Sequence, residues 1–536
     1  MPQPKVKILG VVYGIGMNIN NIIGSGIVTV PGIIWNSVQS STVVLILWVI
    51  GGLVSMLGSL SYVELGVKHK ISGGETKYLQ TAFPNPKYCI SYLFSFMCIT
   101  AIKPAITSAV LQSAAQYFWY TIKEDQYKYE IEYEKIGWTL PFSPFWTIKL
   151  IAIAILFVIT AYHMINNRLA NMINQSLAII KLITYTMIAI AGLFQLSTVT
   201  SRNNWQYSKS VNTDFTAYSS AFLLVMFSYN GWNTLNYSLD EFKKVEKKLL
   251  FSNCISVLIV TVLYFFVNVA YISVVTQEYV FNHENENEVI GAIFFNNLFN
   301  DRKSIVRIFT FLIVLSVIGT AASNIWSGSR VIVAAAESDY FFSRYSRKLS
   351  TLHESRDTPI NALLAQFIWC SMFILMGSSF TITSFQFYSK FSIYSGWIFY
   401  FVTGIGLLVI RNRENKILQK NKMDKSDSEM DLNHDENSET SEVNKLYTAP
   451  LSLVWLFVLV GLFIIISAFI VQVHCPSDPN DCKKDRIHKM TPFLFSYAFL
   501  FAALTFWYYY WWKSKKNEAL NKEAEDILAQ TNHLKE

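Results

Sequence analysis

The chain carries twelve long apolar stretches, several of them running 18 or more residues without one charged side chain. A run of that length crosses the hydrocarbon layer of a bilayer as a helix. Inside that layer every backbone amide and carbonyl must find its partner within the chain, which leaves helices or closed barrels. The runs are too long, and too poor in strict alternation, for barrel strands. The expectation is therefore an all-α integral membrane protein with 12 transmembrane helices. They fall near 9–35, 42–66, 88–121, 147–162, 172–196, 216–239, 250–276, 305–335, 359–379, 384–410, 450–472 and 491–512. Only 15% of the 536 residues are charged, against about 25% in a soluble domain, so a soluble multidomain enzyme is excluded. Six cysteines are too few for a secreted disulfide scaffold. No cysteine or histidine cluster has metal-ligand spacing, and no cofactor or metal is expected. No cleavable signal peptide precedes the first apolar run.

The net charge of +7 would suggest a nucleic-acid partner if the basic residues formed a patch. They do not. With twelve spans both termini share a side, and 27 of the 44 lysines and arginines fall on the segments of that side, against 11 on the opposite one. That bias assigns both termini to the cytoplasm and turns the positive charge into a topology signal. The sequence then divides into a core of ten spans (1–410), a polar loop (411–448), two further spans (449–512) and a charged cytoplasmic tail (513–536). The loop holds almost no apolar residues and is expected to be disordered.

Two apolar stretches contain residues that do not belong in the middle of a helix. The first holds Asn20-Asn21-Ile22-Ile23-Gly24-Ser25-Gly26-Ile27 and then Pro31-Gly32. Glycines and a proline there either let neighbouring helices pack closely or break the span, freeing amides and carbonyls for a polar ligand. The sixth stretch holds Phe227-Ser228-Tyr229-Asn230-Gly231-Trp232-Asn233. Each of the two interrupted spans opens a five-helix half. Corresponding breaks in two halves point to a 5+5 inverted repeat whose site lies at the midplane.

A third anomaly is Lys181, a lone charge within SLAIIKLIT of the fifth span. A lysine at that depth costs about 2.5–3.5 kcal/mol on insertion scales. It either snorkels to an interface or faces the helix bundle, and its distance from both interfaces favours the bundle. Thr320 and Asn324 fall one turn apart on one face of the eighth span, and line a pocket or hydrogen-bond between helices. No acidic residue lies mid-membrane; Glu64, Asp240 and Glu241 sit at span ends. Without paired carboxylates, a metal cluster or a nucleophile–base set in the spans, no enzyme activity is expected.

These pieces resemble the L-type amino-acid transporters of the amino acid–polyamine–organocation superfamily, fungal methionine-permease-like members among them. The matching segments are IIGSGI at 22–27, SYVELG at 61–66, SGGE at 72–75, FSYNGWNTLNY at 227–237, Ser329-Arg330 and a terminal WWK at 511–513. The resemblance covers about residues 8–516. It implies the five-plus-five fold with two extra helices and sodium-independent amino-acid transport through a multi-pass protein of the plasma membrane. It also implies a substrate site on both breaks: Ile22, Ile23, Gly24, Ser25, Gly26 and Ile27, with Phe227, Asn230 and Gly231 opposite, and Thr320 and Asn324 at the side-chain end. The amides of Ser25, Gly26 and Ile27 at a half-helix start suit an α-carboxylate. The carbonyls of Ile22, Phe227 and Asn230 suit an α-ammonium. Phe227 is either a core aromatic or, by analogy, a gate. Family members carry a lysine at the position of Lys181, standing where a sodium ion would otherwise bind. Lys103-Pro104 matches a basic-proline pair that tethers the third span. The family usually has glycine where this chain has Asn230, which bears on substrate preference.

Animal relatives link a second subunit through a cysteine between the third and fourth spans. Residues 122–146 contain no cysteine, so no covalently attached heavy chain is expected. Cys475 and Cys482 flank a turn-forming Pro-Ser-Asp-Pro-Asn-Asp on the outer side, where a disulfide is expected between them. The alternative to a transporter is an amino-acid sensor (transceptor) of the same architecture that signals through the 411–448 loop.

Overall fold

The computed structural model describes residues 10–123, 144–206, 212–242, 244–282, 289–300, 302–341, 343–353, 355–376, 384–428, 447–473 and 490–516. Among these residues all extended regular structure is helical. The first apolar stretch forms two helices, α1 (Val11–Ile22) and α2 (Ser25–Val38), bent by 41° at the break. Then come α3 (Ser41–His69), the short α4 (Glu75–Ala82) and the long α5 (Cys89–Lys123). The first half closes with α6 (Pro144–Ile165), α7 (Asn167–Phe194) and the connecting α8 (Val199–Trp205). The sixth stretch is α9 (Phe215–Ser228), a turn and a 3-10 segment, Thr234–Glu241. After it follow α10 (Val245–Val274), α11 (Gln277–Asn282), α12 (Ile290–Leu298) and α13 (Lys303–Glu337). The rest is α14 (Ser343–Ser350), α15 (Ile360–Met376), α16 (Ser384–Ser428), α17 (Leu451–Val473) and α18 (Met490–Lys516).

Nine of the described helices are long and apolar enough to cross a membrane, ten with the bent pair, and α9 and α15 are shorter apolar helices. Each of the twelve expected spans falls on one of these, the sixth on α9 and the 3-10 segment together. The tenth span differs at its end: α16 continues to Ser428, past the expected limit at 410. The remainder of the polar loop, 429–446, lies outside the described residues, as do Cys475 and Cys482. Cys89, Cys98, Cys254 and Cys370 are free thiols.

Local chemistry explains the joints. Asn166 caps α7 by accepting from the amide of Arg168 (2.7 Å), and Asp214 caps α9 by accepting from that of Thr216 (3.0 Å). Pro104 lacks an N–H, so the carbonyl of Thr100 has no intrahelical donor. The helix widens to a π turn over Cys98–Ile102, and the indole of Trp369 donates to Thr100 O at 2.8 Å. That repair also ties α5 to α15.

The helices sort into two groups. The broken spans α1, α2 and α9 pack with α3 and α10, while α5, α6, α13 and α15 form a frame against which they rest, with α7 touching both. Large apolar side chains such as Phe157, Val158, Leu258, Leu459 and Phe501 point outward and are more than half exposed. An outward shell of that kind suits lipid rather than water.

Candidate substrate site

The first break is Ile23–Gly24. α1 ends on Ile22, and α2 starts at Ser25 with Gly24 in front of it and no side-chain cap on its first amides. The Ser25 hydroxyl is buried and has no hydrogen-bond partner among the described residues. An uncapped helix start with a bare hydroxyl beside it is a ready anion cradle.

The carbonyl end of the same break is held by a cation. Lys181 is fully buried, and its ammonium donates to Asn20 O, Ile23 O and Thr320 Oγ1, the last at 2.7 Å. All three ammonium hydrogens are used. Thr320 in turn donates to Ile23 O at 2.8 Å, and Asn20 reaches Ser323 at 3.0 Å. Lys181 therefore faces the bundle, at the negative end of the α1 dipole.

The second break runs from Tyr229 to Asn233. Gly231 has φ +115°, a left-handed conformation that strains any side chain, and a Cβ there would meet the Asn21 amide group. The loop is fixed by neutral groups: Thr234 Oγ1 donates to Gly231 O (2.6 Å), Asn21 donates to Thr234, and Tyr400 donates to Asn230 Oδ1 (3.1 Å). One hydroxyl joins the breaks. Tyr264 on α10 lies 2.9 Å from Ile22 O and 3.0 Å from Ser228 O, so its hydrogen is shared between them.

Between the breaks is a cavity of about 20 Å³, room for about one water. Its walls include Ile22, Gly24, Ser25, Gly26, Phe227, Asn230, Thr320 and Asn324, all expected from the sequence. Ile23, Ile27 and Gly231 are not on the wall. Ile23 turns its carbonyl to Lys181, Ile27 is fully buried core, and Gly231 shapes the second break from behind. Asn21, Ser228, Ile106 and Val110 line the cavity although the expected site omits them. Tyr264 was also beyond reach, being one ring among Tyr264-Phe265-Phe266 in an apolar run.

Both readings of the glycines hold at once. A Cβ on Gly26 would lie 2.5–2.6 Å from Ser228 atoms, and one on Gly24 would lie 2.7 Å from Thr320 Oγ1, so each also permits close packing. Thr320 and Asn324 likewise line the cavity and bond between elements, Asn324 Oδ1 accepting from Lys103 at 3.3 Å. Phe227 is 5% exposed and meets Phe385 edge-on at 5.7 Å, while also facing the cavity. Lys103 donates to Ser327 Oγ at 2.8 Å, which ties the third span to the eighth. The acidic span ends are paired: Glu241 with Arg330 at 2.6 Å, and Glu64 with Arg411.

Comparison with known proteins shows the family. The amino acid permease family model matches residues 9–480. The chain belongs to that family. It is similar to the b(0,+)-type amino acid transporter 1 of Mus musculus, 28% identical over 410 residues covering 76% of each chain. The Homo sapiens form is 27% identical over the same shares. The large neutral amino acids transporter small subunit 2 of Homo sapiens is 25% identical over 76% of this chain and 70% of the relative. An all-helical permease with two broken spans is thus the architecture, and the relatives are transporters rather than enzymes.

Proposed function

We propose that this permease moves neutral L-amino acids, large neutral or methionine-like, across a membrane by alternating access and without sodium. The observation that carries the reading is the pairing, across one small cavity, of an uncapped helix start bearing the unpartnered Ser25 hydroxyl with the carbonyls of the two breaks. The amides of Ser25, Gly26 and Ile27 are donors for an α-carboxylate. Ile22 O and Ser228 O each keep a second lone pair beside Tyr264, and these are acceptors for an α-ammonium. Among the described residues no ionised side chain lines the cavity, which favours a neutral substrate side chain.

Sodium independence follows from Lys181, whose ammonium supplies to Asn20 O, Ile23 O and Thr320 the positive charge that a coupling ion would bring. At about 20 Å³ the cavity is too small for an amino acid, so substrate entry requires the broken-span group to move against the frame. Both termini are cytoplasmic and the plasma membrane is the site of action in this reading. Residues 122–146 lack cysteine, so the chain works without a disulfide-linked partner. The test is uptake of a substrate panel by the purified protein in proteoliposomes, with and without sodium. Uptake of neutral amino acids at equal rates in both conditions is expected. Strict sodium dependence would overturn the coupling claim, and substrate binding without flux would favour a sensor.

A further inference from the structure

One carboxylate takes no part in the scheme above. Glu75 opens α4 and is fully buried. Its Oε1 accepts from the Tyr62 hydroxyl of α3 at 3.0 Å and from the Asn233 amide group, at the end of the second break, at 2.8 Å. Its Oε2 has no hydrogen-bond partner among the described residues. Asn233 lies three residues beyond the cavity-lining Asn230, and Asn324, also on the cavity wall, binds Lys103 of the same cluster.

The position of α4 gives this contact its meaning. α4 is fastened to the frame: Thr76 Oγ1 pairs with Ser95 Oγ (3.0 Å), Ser91 donates to Thr76 O (2.6 Å), and Lys77 donates to Ser338 (3.0 Å). Gln80 adds a bond to Tyr340 at 2.8 Å. Tyr62 and Asn233 belong instead to the broken-span group. Tyr78 donates to Asn236 Oδ1 at 2.8 Å, and the Gly74 amide donates to Asn236 O at 3.0 Å. With these, Glu75 is a point where a frame-bound helix grips the part that must move, and it is the carboxyl among them. It lies on the side that carries Lys68, Lys70, Lys77 and Lys87 and is cytoplasmic by charge bias.

An ionised carboxylate sealed in this place keeps one oxygen unpaired, which is unfavourable. Protonation removes that charge and adds a donor: a hydrogen on Oε1 reaches the Tyr62 oxygen while Asn233 still donates to the same carboxyl. Only a neutral Oε2 carbonyl stays unpaired, at a smaller cost than a charged oxygen. We infer that Glu75 is a proton-binding site that latches the cytoplasmic gate, protonated while the gate is closed and deprotonated when it opens. The inference rests on the transport reading. In the step, the O–H bond of Glu75 breaks and its proton passes to cytoplasmic water, the electron pair staying on the carboxylate. Closing reverses it.

The groups that face Glu75 are Tyr62 on α3, Tyr237 on the 3-10 segment, Cys98 and Lys103 on α5, Tyr400 on α16 and Tyr78 on its own helix. Lys103 is the one cation of the set. Its ammonium is directed to Asn324, Ser327 and the face of Tyr237, 5.1 Å from the ring centre. Burial raises the Glu75 carboxyl above its ordinary value, outweighing its own backbone amide and the donors Tyr237, Tyr62 and Asn233, which lower it. A group that binds its proton more tightly in the closed form stabilises that form as pH falls. Acid on the cytoplasmic side therefore holds the gate shut. Ionisation opens it, over the interval between the ordinary carboxyl value and the raised one.

The experiment measures exchange of a transported amino acid by the full chain in proteoliposomes, with pH equal on both sides and stepped from about 8 to about 5. Wild-type exchange should fall several-fold towards acid. Glu75→Gln mimics the protonated acid, so it should give a slow rate that no longer depends on pH, with substrate still stabilising the protein in a thermal-shift assay. Tyr62→Phe removes the partner of the carboxyl in both its forms and should displace the midpoint from its wild-type value. A flat wild-type profile, a rate that rises with acid, or a wild-type profile in Glu75→Gln overturns the latch while leaving transport intact. Absence of exchange by the wild type at every pH would instead overturn the transport reading. If Glu75→Gln does not fold, the Tyr62→Phe profile decides, an unchanged midpoint counting against the latch.

Discussion

The first break is two residues long and is held by a charge, whereas the second runs from Tyr229 to Asn233 and is held by neutral groups. At the first, the Lys181 ammonium spends all its hydrogens on Asn20 O, Ile23 O and Thr320. At the second, hydroxyls and amides of Thr234, Asn21 and Tyr400 do the holding, and the chain passes through Gly231 at φ +115° into a 3-10 segment. Hydrogen bonds from a charged group contribute about 1.5–3 kcal/mol each, neutral ones about 0.5–1.5 kcal/mol. The first break is therefore an anchor and the second a hinge. Under the proposed transport function, this asymmetry supplies a fixed point beside the cavity and a yielding one across it.

The severest way to break the contrast is Lys181→Ala. It takes the ammonium from Asn20 O and Ile23 O and leaves Thr320, with a single hydrogen, to serve one of them, so one buried carbonyl is orphaned at about 1–3 kcal/mol. Initial uptake rates at equal surface density should fall by about 100-fold or more. Near-normal rates would show that the first break does not depend on its cation. Gly26→Val comes next. The new Cβ would press on Ser228 backbone and side-chain atoms at 2.5–2.6 Å, driving the anchor into the hinge. Overpacking of that kind costs about 1–3 kcal/mol, and the branched side chain also crowds the amide cradle. Uptake should be abolished while membrane insertion, read by surface labelling, stays intact. Normal transport with unchanged affinity would remove Gly26 from the site.

The anchor was legible in the sequence and much of the hinge was not. Lys181 stands out because a lone charge in an apolar run has few structural excuses, and Gly24-Ser25-Gly26 because glycine is poor helix material. The second break was visible as Asn230-Gly231, but not its supports. Tyr400 and Tyr264 are ordinary aromatic members of apolar helices until the fold brings their hydroxyls to Asn230 and to the two broken ends. Glu75 is the sharper lesson. It follows Lys68, His69, Lys70, Ser72, Gly73 and Gly74, a composition that reads as a solvated loop, and only tertiary contacts bury it. Burial of a short polar helix leaves no periodic trace in sequence, so a span-by-span search for acidic residues passes over it.

Tyr264→Phe sharpens the comparison because it loosens both breaks at once. One hydroxyl hydrogen shared by Ile22 O and Ser228 O contributes about 1 kcal/mol. The ring itself stays packed on Trp48 and Tyr229. A loss of about fivefold in uptake is expected, with the protein as stable to heat as wild type within a few degrees. A loss as deep as that of Lys181→Ala would mean that the neutral tether, not the charge, fixes the first break.

The mildest test acts on the hinge alone, at the position where this chain departs from the glycine usual in the L-type transporters it resembles. Asn230 lines the cavity, and its side-chain oxygen accepts from Tyr400 at 3.1 Å. Asn230→Gly deletes that bond and returns side-chain volume to the cavity. Tyr400 keeps its edge and face contacts with Tyr62 and Trp232, so the change should cost about 1 kcal/mol or less. Overall turnover should move by less than about threefold. What should change is rank order: bulkier neutral side chains should compete better against the best wild-type substrate. Side-by-side inhibition of uptake by a panel of neutral amino acids measures it. If the order is unchanged, Asn230 serves only to fix the turn. If turnover collapses, the neutral bonds of the second break matter as much as the ammonium of the first, and the division into anchor and hinge is wrong.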